Sequence, residues 1–261
     1  AIEVDVYNPD QNILAAASLN IYSGTMGNAK SGSTARTNGP LTVGLMTAGA
    51  MDAKAYSTDN FAVVFEGMIA NIAGAATLKA SSDTLAKAEG ATPGGASLVD
   101  NSSSDVTAQV GQRKDRQYVG VVIGKGNTLN AGSITITADN KGEAYAWLDQ
   151  GTQFSLGKIK KSSQPTDSYY NTLVSIGRGA TLNAKSGNIV ITSSDSPSAT
   201  SQVNTTNYSL TLNFNSMMGS NSFDQENNLD IGPDALVTAS GDITLQTSQR
   251  TVSNAGTTMN S

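Results

Sequence analysis

The side chains that could do chemistry in this chain fall into a few groups. Arg113, Lys114 and Arg116 stand in Arg113-Lys114-Asp115-Arg116, and Lys158, Lys160 and Lys161 form a second basic run. Clustered cations of this kind suit an acidic glycan or a lipid headgroup, with a solvated loop as the plainer reading. Tyr145, Trp147, Tyr169 and Tyr170 lie in variable stretches. They make a candidate platform for stacking a sugar ring, with core filling or loop packing as the alternative. These ten residues are the candidate binding set.

Acidic groups are scattered. Asp149 and Asp167 would serve as a glycosidase or lyase pair only if the fold made them converge. Asp83, Asp139 and Asp195 follow strand-like stretches at comparable places and read as turn residues; stacked, they would offer oxygen ligands to calcium. Gly124-Lys125-Gly126 and Gly177-Arg178-Gly179 lack the third glycine and following helix of a phosphate cradle, and read as turns. Asn101, Asn204 and Asn207 begin glycosylation triplets, which chance supplies in a chain so rich in Asn, Ser and Thr. The chain has no histidine and no cysteine. That removes a Ser-His-Asp triad, thiolate metal sites and a disulfide framework. No catalytic residue, cofactor or metal ligand is assigned, and the chain is expected not to be an enzyme.

The elements that would position these groups are announced by repetition. Ile176 to Ile191 reads as two short strands joined by a glycine turn, with Ile176, Leu182, Ala184, Ile189 and Ile191 as its apolar positions. Within each strand the period is two, which places those side chains on one face. Ile123 precedes Leu129, Ala131, Ile134 and Ile136 in the same way, and Ile231 precedes Val237, Ala239, Ile243 and Leu245. Ile72, Leu78 and Ala80 make a partial copy, giving gaps of 51, 53 and 55 residues between leading isoleucines. Leu14, Ala16, Leu19 and Ile21 open the chain as a worn copy in which Asn8 replaces the isoleucine. A fixed period of this size predicts stacked units sharing a continuous core.

The expected fold class is all-β: a parallel coil of stacked strands with protruding loops, spanning residues 1–261 as one body. The 26 glycines and the Ile, Val and Thr content favour strands and turns over helices. Equivalent residues should stack in columns, Leu78 with Leu129, Leu182 and Val237, then Ala80 with Ala131, Ala184 and Ala239. A unit of about 53 residues suggests two or three turns of the coil, so the body would be a rod roughly 50–60 Å long at ~4.8 Å per rung. Gly132, Gly187 and Gly241 are expected to supply positive backbone angles. Asn8-Pro9-Asp10 reads as a turn, Phe61 to Phe65 and Tyr118 to Ile123 as strands, and Tyr208, Leu210, Leu212 and Phe214 as a strand facing inward. Residues 23–40 and 89–105 read as loops, and 141–170, 193–207 and 216–228 as variable spacers. Leu78 to Ala88 has helix-forming composition, but the repeat register argues for coil and strand.

Net charge is −5, with 14% of residues charged, so nonspecific nucleic-acid binding is not expected. No run of about 18 apolar residues marks a membrane helix. The opening Ala-Ile-Glu-Val-Asp-Val alternates like a strand and is no signal peptide. With half-formed repeats at both ends, the chain reads as a piece of a longer polypeptide.

The repeated Ile-Gly-x-Gly-Ala-x-Leu-x-Ala-x-x-Gly-Asn-Ile-x-Ile resembles the repeats of filamentous-haemagglutinin-type adhesins. The likeness is clear at Ile123–Ile136, Ile176–Ile191 and Ile231–Leu245, fainter at Leu14–Ile21 and Ile72–Ala80, and covers about a third of the chain directly. It implies a right-handed parallel β-helix in a large secreted or cell-surface bacterial exoprotein, passed through an outer-membrane transporter by the two-partner, type V route. It also implies attachment to a glycan or protein receptor on host cells, other bacteria or matrix. Specificity would reside in loops 89–117, 141–170 and 193–228. The alternatives are a β-helical polysaccharide lyase or hydrolase, a trimeric adhesin head, and a subunit that stacks end to end into an extracellular fibre.

Overall fold

The computed structural model describes residues 2–6, 13–25, 30–39, 42–92 and 94–260. Seventeen strands and no helix occur among them. They fall into five layers. The first holds β1 (Ile2–Val6), β2 (Ile13–Ala16), β3 (Leu19–Gly24), β4 (Ser31–Asn38) and β5 (Thr42–Ser57); the second holds β6 (Phe61–Phe65), β7 (Ile69–Ile72), β8 (Ala75–Ala91) and β9 (Gly95–Val110). β10 (Gln117–Ile123) and β11 (Thr128–Ala131) open the third, and β12 (Ser133–Ile176) carries the chain through it into the fourth. There β13 (Thr181–Ala184) precedes β14 (Ile189–Ile231), which runs on to the fifth layer with β15 (Leu236–Ala239), β16 (Ile243–Gln249) and β17 (Val252–Asn260).

Every strand pairing is parallel. Partners lie one repeat apart, from 53 residues for Thr128 and Thr181 to 59 for Ile2 and Phe61. One repeat is therefore one pass around the molecule, not two or three turns. Five layers at ~4.8 Å make a broad body only about 20–25 Å deep along the stack, instead of a long rod. β2, β7, β11, β13 and β15 form a short five-stranded sheet, and the other twelve strands form one large sheet.

The columns follow the apolar repeat. Leu129 lies against Leu182 and Leu182 against Val237; Ala131, Ala184 and Ala239 stack likewise. Leu14, Ala16, Leu19 and Ile21 stand in the first layer of the columns of Leu129, Ala131, Ile134 and Ile136. The second-layer copy differs from the expected one. Ala70 takes the place of Leu129, while Leu78 and Ala80 sit beside Ile136 and Ala138. The leading position is filled by Phe65 in that layer and by Val6 in the first, so neither Ile72 nor Asn8 occupies it. The spacing misled because the second layer is longer than the third, shifting a similar motif by one step. The Asn8-Pro9-Asp10 turn lies outside the described residues.

The glycine roles also differ. The left-handed residues of the turn column are Gly67, Gly126, Gly179 and Asp234, with φ of 70°, 70°, 68° and 60°. Gly132, Gly187 and Gly241 are glycines because neighbouring layers approach closely: a Cβ on Gly132 would lie 2.9 Å from the Gly74 carbonyl oxygen.

Among the described residues, most of the segments expected to protrude as loops are strand. β4, β9, the middle of β12 and most of β14 cover them. Their period-two signal is carried by small residues: Ala80, Ser82, Thr84, Ala86 and Ala88 point inward, between outward Ser81, Asp83, Leu85 and Lys87. This settles Leu78–Ala88 as strand. Two walls result, outgoing along β8 and the first parts of β12 and β14, returning along β9 and their later parts. They face each other closely: Gln150 Nε2 donates to Ser162 Oγ at 2.6 Å, and Tyr170 Oη lies 2.2 Å from where a Cβ on Gly142 would stand. Glycine at 142 makes room for the tyrosine.

Two apolar cores result. One lies at the wide end, enclosed by both walls and the short sheet, and contains Phe65, Leu78, Ile123, Leu129, Ile136, Leu182 and Ile191. The other fills the narrower wing between the walls with Ala86, Val106, Val110, Ala144, Leu148 and Tyr170. A polar belt separates them. Gln117 Nε2 donates to Ser82 Oγ at 3.0 Å and to Asn140 Oδ1 at 2.8 Å, and Thr172 Oγ1 donates to Asp195 Oδ1 at 2.5 Å. Asn227 continues the belt, donating to the Ser248 carbonyl at 2.7 Å. Outside the short sheet, amides form a ladder: Asn130 Nδ2 donates to Asn71 Oδ1 at 3.0 Å, Asn183 Nδ2 to Asn130 Oδ1 at 3.2 Å, and Thr238 Oγ1 to Asn183 Oδ1 at 3.2 Å.

A candidate binding face on the outgoing wall

The structure disperses the candidate binding set over several parts of the molecule. Tyr145 and Trp147 project outward from β12, two residues apart on one face of the outgoing wall. Tyr145 stands between Lys87 and Thr200, and Trp147 between Glu89 and Gln202. Lys87 Nζ lies 5.5 Å from the centre of the Tyr145 ring and 2.9 Å from Glu89 Oε1. The cation thus steadies the ring while its charge is held by the carboxylate.

One step further along the strand, Asp149, Asn204 and Thr258 stack in a single column. They open onto a cleft of about 420 Å³ that Gly151, Thr152 and Thr205 also line. Asp149 Oδ1 accepts from the Gly151 amide at 3.2 Å, which fixes the carboxylate toward the turn. Two outward aromatic side chains therefore adjoin a polar cleft lined by donors and acceptors. A sugar ring uses this combination, its C–H face on an aromatic surface and its hydroxyls on amides and carboxylates.

The other candidates lie elsewhere. Arg113 and Lys114 are exposed in the turn between β9 and β10, closed by a bridge between Gln112 and Asp115. Arg116 is tied to Asp224 Oδ2 and Glu226 Oε2, both at 3.0 Å. Tyr169 projects from the opposite outer face, where burial, then Asp167 and Asp224, raise its pKa against the opposing effect of Arg113. Lys161 is exposed near the wing tip; Lys158 and Lys160 belong to the same strand, their side chains outside those described. Tyr170 leaves the candidate set. It points between the walls and is fully buried, because the register puts even-numbered positions inward on this stretch.

Neighbouring readings are corrected too. Asp149 and Asp167 both point outward, from walls whose inner faces meet, so they lie on opposite sides and do not form a pair. Asp83, Asp139 and Asp195 occupy three different columns within strands. Asp139 binds Lys141 at 2.9 Å and Asp195 points into the belt. Among the described residues no group of three or more acidic side chains is placed to hold a metal. The Gly124–Gly126 and Gly177–Gly179 segments are turns whose amides are used: Gly126 N donates to the Arg178 carbonyl and Gly179 N to the Pro233 carbonyl, each at 3.0 Å. Tyr208 faces outward and stacks on Phe154, rings 5.1 Å apart.

Sequence reasoning named Tyr145 and Trp147 as candidates but anticipated neither the strand that carries them, nor the Asn204–Thr258 column, nor the polar belt. The signal available was the 55-residue offset between Asp149 and Asn204, hidden while those stretches read as loops.

Comparison with protein-family models, with curated proteins and with solved structures finds no match.

Proposed function

We propose that the chain is a right-handed parallel β-helix segment of a secreted or cell-surface bacterial adhesin. It grips a glycan through the outer face carrying Tyr145 and Trp147, in a polypeptide exported through an outer-membrane transporter. The observation that carries the reading is an in-register parallel repeat that sets two outward aromatic side chains, Tyr145 and Trp147, beside a polar cleft. The all-parallel pairing at 53 to 59 residues supports the helical winding. The Ile-Gly-x-Gly-Ala-x-Leu-x-Ala motif supports the adhesin class.

The mechanism is adhesion by area and number. A pyranose stacks on Trp147, its hydroxyls reach Gln202, Asp149, Asn204 and Thr258, and weak sites on neighbouring copies add through effective concentration. The test is binding to an immobilised glycan library and to whole bacterial and epithelial cells, comparing the native chain with Trp147→Ala and Tyr145→Ala. We expect at least a tenfold loss for Trp147→Ala with an unchanged far-ultraviolet spectrum. Equal binding by the variants removes this face from the reading; binding of no glycan and no cell removes the adhesin reading.

A further inference from the structure

At the tip of the wing, where the outgoing wall turns into the returning one, apolar side chains face solvent in four successive layers. Val43, Leu45 and Met46 of β5 are 77%, 75% and 79% exposed; Leu98 and Val99 of β9 are 44% and 41% exposed. Phe154 of β12 and Tyr208 of β14 are 54% and 51% exposed. The strand register makes them one ladder. Val43, Ala96, Phe154 and Tyr208 form one column, and Met46 and Val99 pair three residues on. Phe154 and Tyr208 are already stacked with an interplanar angle of 14°.

Such a surface is anomalous. These side chains expose on the order of 1,000 Å² together, beyond the largest patch of an ordinary monomer and close to the ~800 Å² each partner buries in a standard interface. We infer that the ladder is a lateral docking surface whose occupant is a second copy of this chain, the two wing tips lying side by side and antiparallel about a two-fold axis.

Spacing and charge select this partner. The ladder repeats at the ~4.8 Å spacing of the sheet, and a second copy has the same spacing, so ridges meet grooves in every layer at once. None of the ladder side chains named above is charged, so the two apolar faces themselves meet without like-charge repulsion. Within the four layers described, a two-fold axis between the second and third sets Leu98 of one copy opposite the Leu156 layer of the other. The contact is isologous and closes at two copies, unlike stacking through the open ends. It does not depend on the glycan reading.

The absence of cysteine makes the test clean. Leu98→Cys chains and differently tagged Leu156→Cys chains are mixed and oxidised, with Lys185→Cys, on the far side of the molecule, as control. The two ladder variants should give a heterodimer band at least tenfold stronger than any pairing with the control. Sedimentation of the native chain should rise with concentration toward twice the 26.8 kDa of one chain, and Leu45→Glu/Leu98→Glu should abolish that rise. A chain that stays monomeric at 100 µM overturns the proposal. So does equal cross-linking through the control, or flotation with phosphatidylcholine–phosphatidylserine vesicles in place of self-association.

Discussion

Replacing Asp195 by asparagine should stabilise the protein above pH 6. Asp195 is 1% exposed; one carboxylate oxygen accepts from Thr172 at 2.5 Å, and the other has no protein partner. Burial raises its pKa from 3.8 to about 6, against the Thr172 hydrogen bond and with a smaller push from Asp139. The sign follows from linkage. Between pH 3.8 and about 6 the folded protein holds a proton that the unfolded chain has released, so stability falls as pH rises through that window and stays lower above it. The shift corresponds to about 3 kcal/mol at neutral pH. Asparagine keeps the shape, still accepts from Thr172, lies beside Asn140 in the next layer, and carries no charge. Urea titrations followed by circular dichroism at pH 4 and pH 7.5 should show a higher midpoint for the variant at pH 7.5, by about 3 kcal/mol, and a difference near zero at pH 4. Equal or lower stability of the variant at pH 7.5 would refute the argument that the belt holds this carboxylate at a cost.

Two further pairs of variants separate causes. Gly179→Ala asks for a left-handed alanine in open space and should cost about 1–2 kcal/mol. Gly177→Ala puts a Cβ 2.7 Å from the Gly124 carbonyl carbon in the adjacent layer and should cost about 3 kcal/mol by forcing layers apart; thermal melts that reverse this order contradict the stacking. Leu182→Ala removes a fully buried side chain and should cost 2–5 kcal/mol, approximately the range for core leucines. Val237→Ala, in the same column but only half-buried in the last layer, should cost less than about 1 kcal/mol, as chemical denaturation will show.

The sequence made the wide end legible and hid the wing, for one physical reason. At the wide end each column is filled by a large aliphatic residue with a glycine turn beside it, so Leu129, Leu182 and Val237 could be aligned by eye. In the wing the walls lie too close for large side chains at most positions, and the inward sites are Ala, Ser, Thr, Asn and Gln. Period two survives there, but spelled in residues that sequence reasoning assigns to turns and loops. The second layer failed differently: its copy is displaced because the layer is longer, and only pairing reveals that Ala70 fills the leucine site. Of the candidate set, Tyr145 and Trp147 stand in what reads as a variable spacer, and only the register shows them two residues apart on one outward face of β12. Tyr170 was not separable from Tyr169 until the register fixed which of two adjacent tyrosines points inward.

The wing also explains where the two proposed binding surfaces lie. The wide end fixes the register of every layer through its aliphatic columns, its turn glycines and the Asn71–Asn130–Asn183 ladder. Parallel strands that leave it in register stay paired for another forty residues by main-chain hydrogen bonds, as β12 and β14 do through two small shifts. Outward side chains on the wing then contribute little to holding the fold, since a substitution there leaves the ladder of amides intact. A large aromatic such as Trp147 or Phe154 can occupy such a position without disturbing the layers above and below. The aromatic face and the apolar ladder both lie on this stretch, whose shape is set elsewhere, so its surface is free to be specified by what it touches.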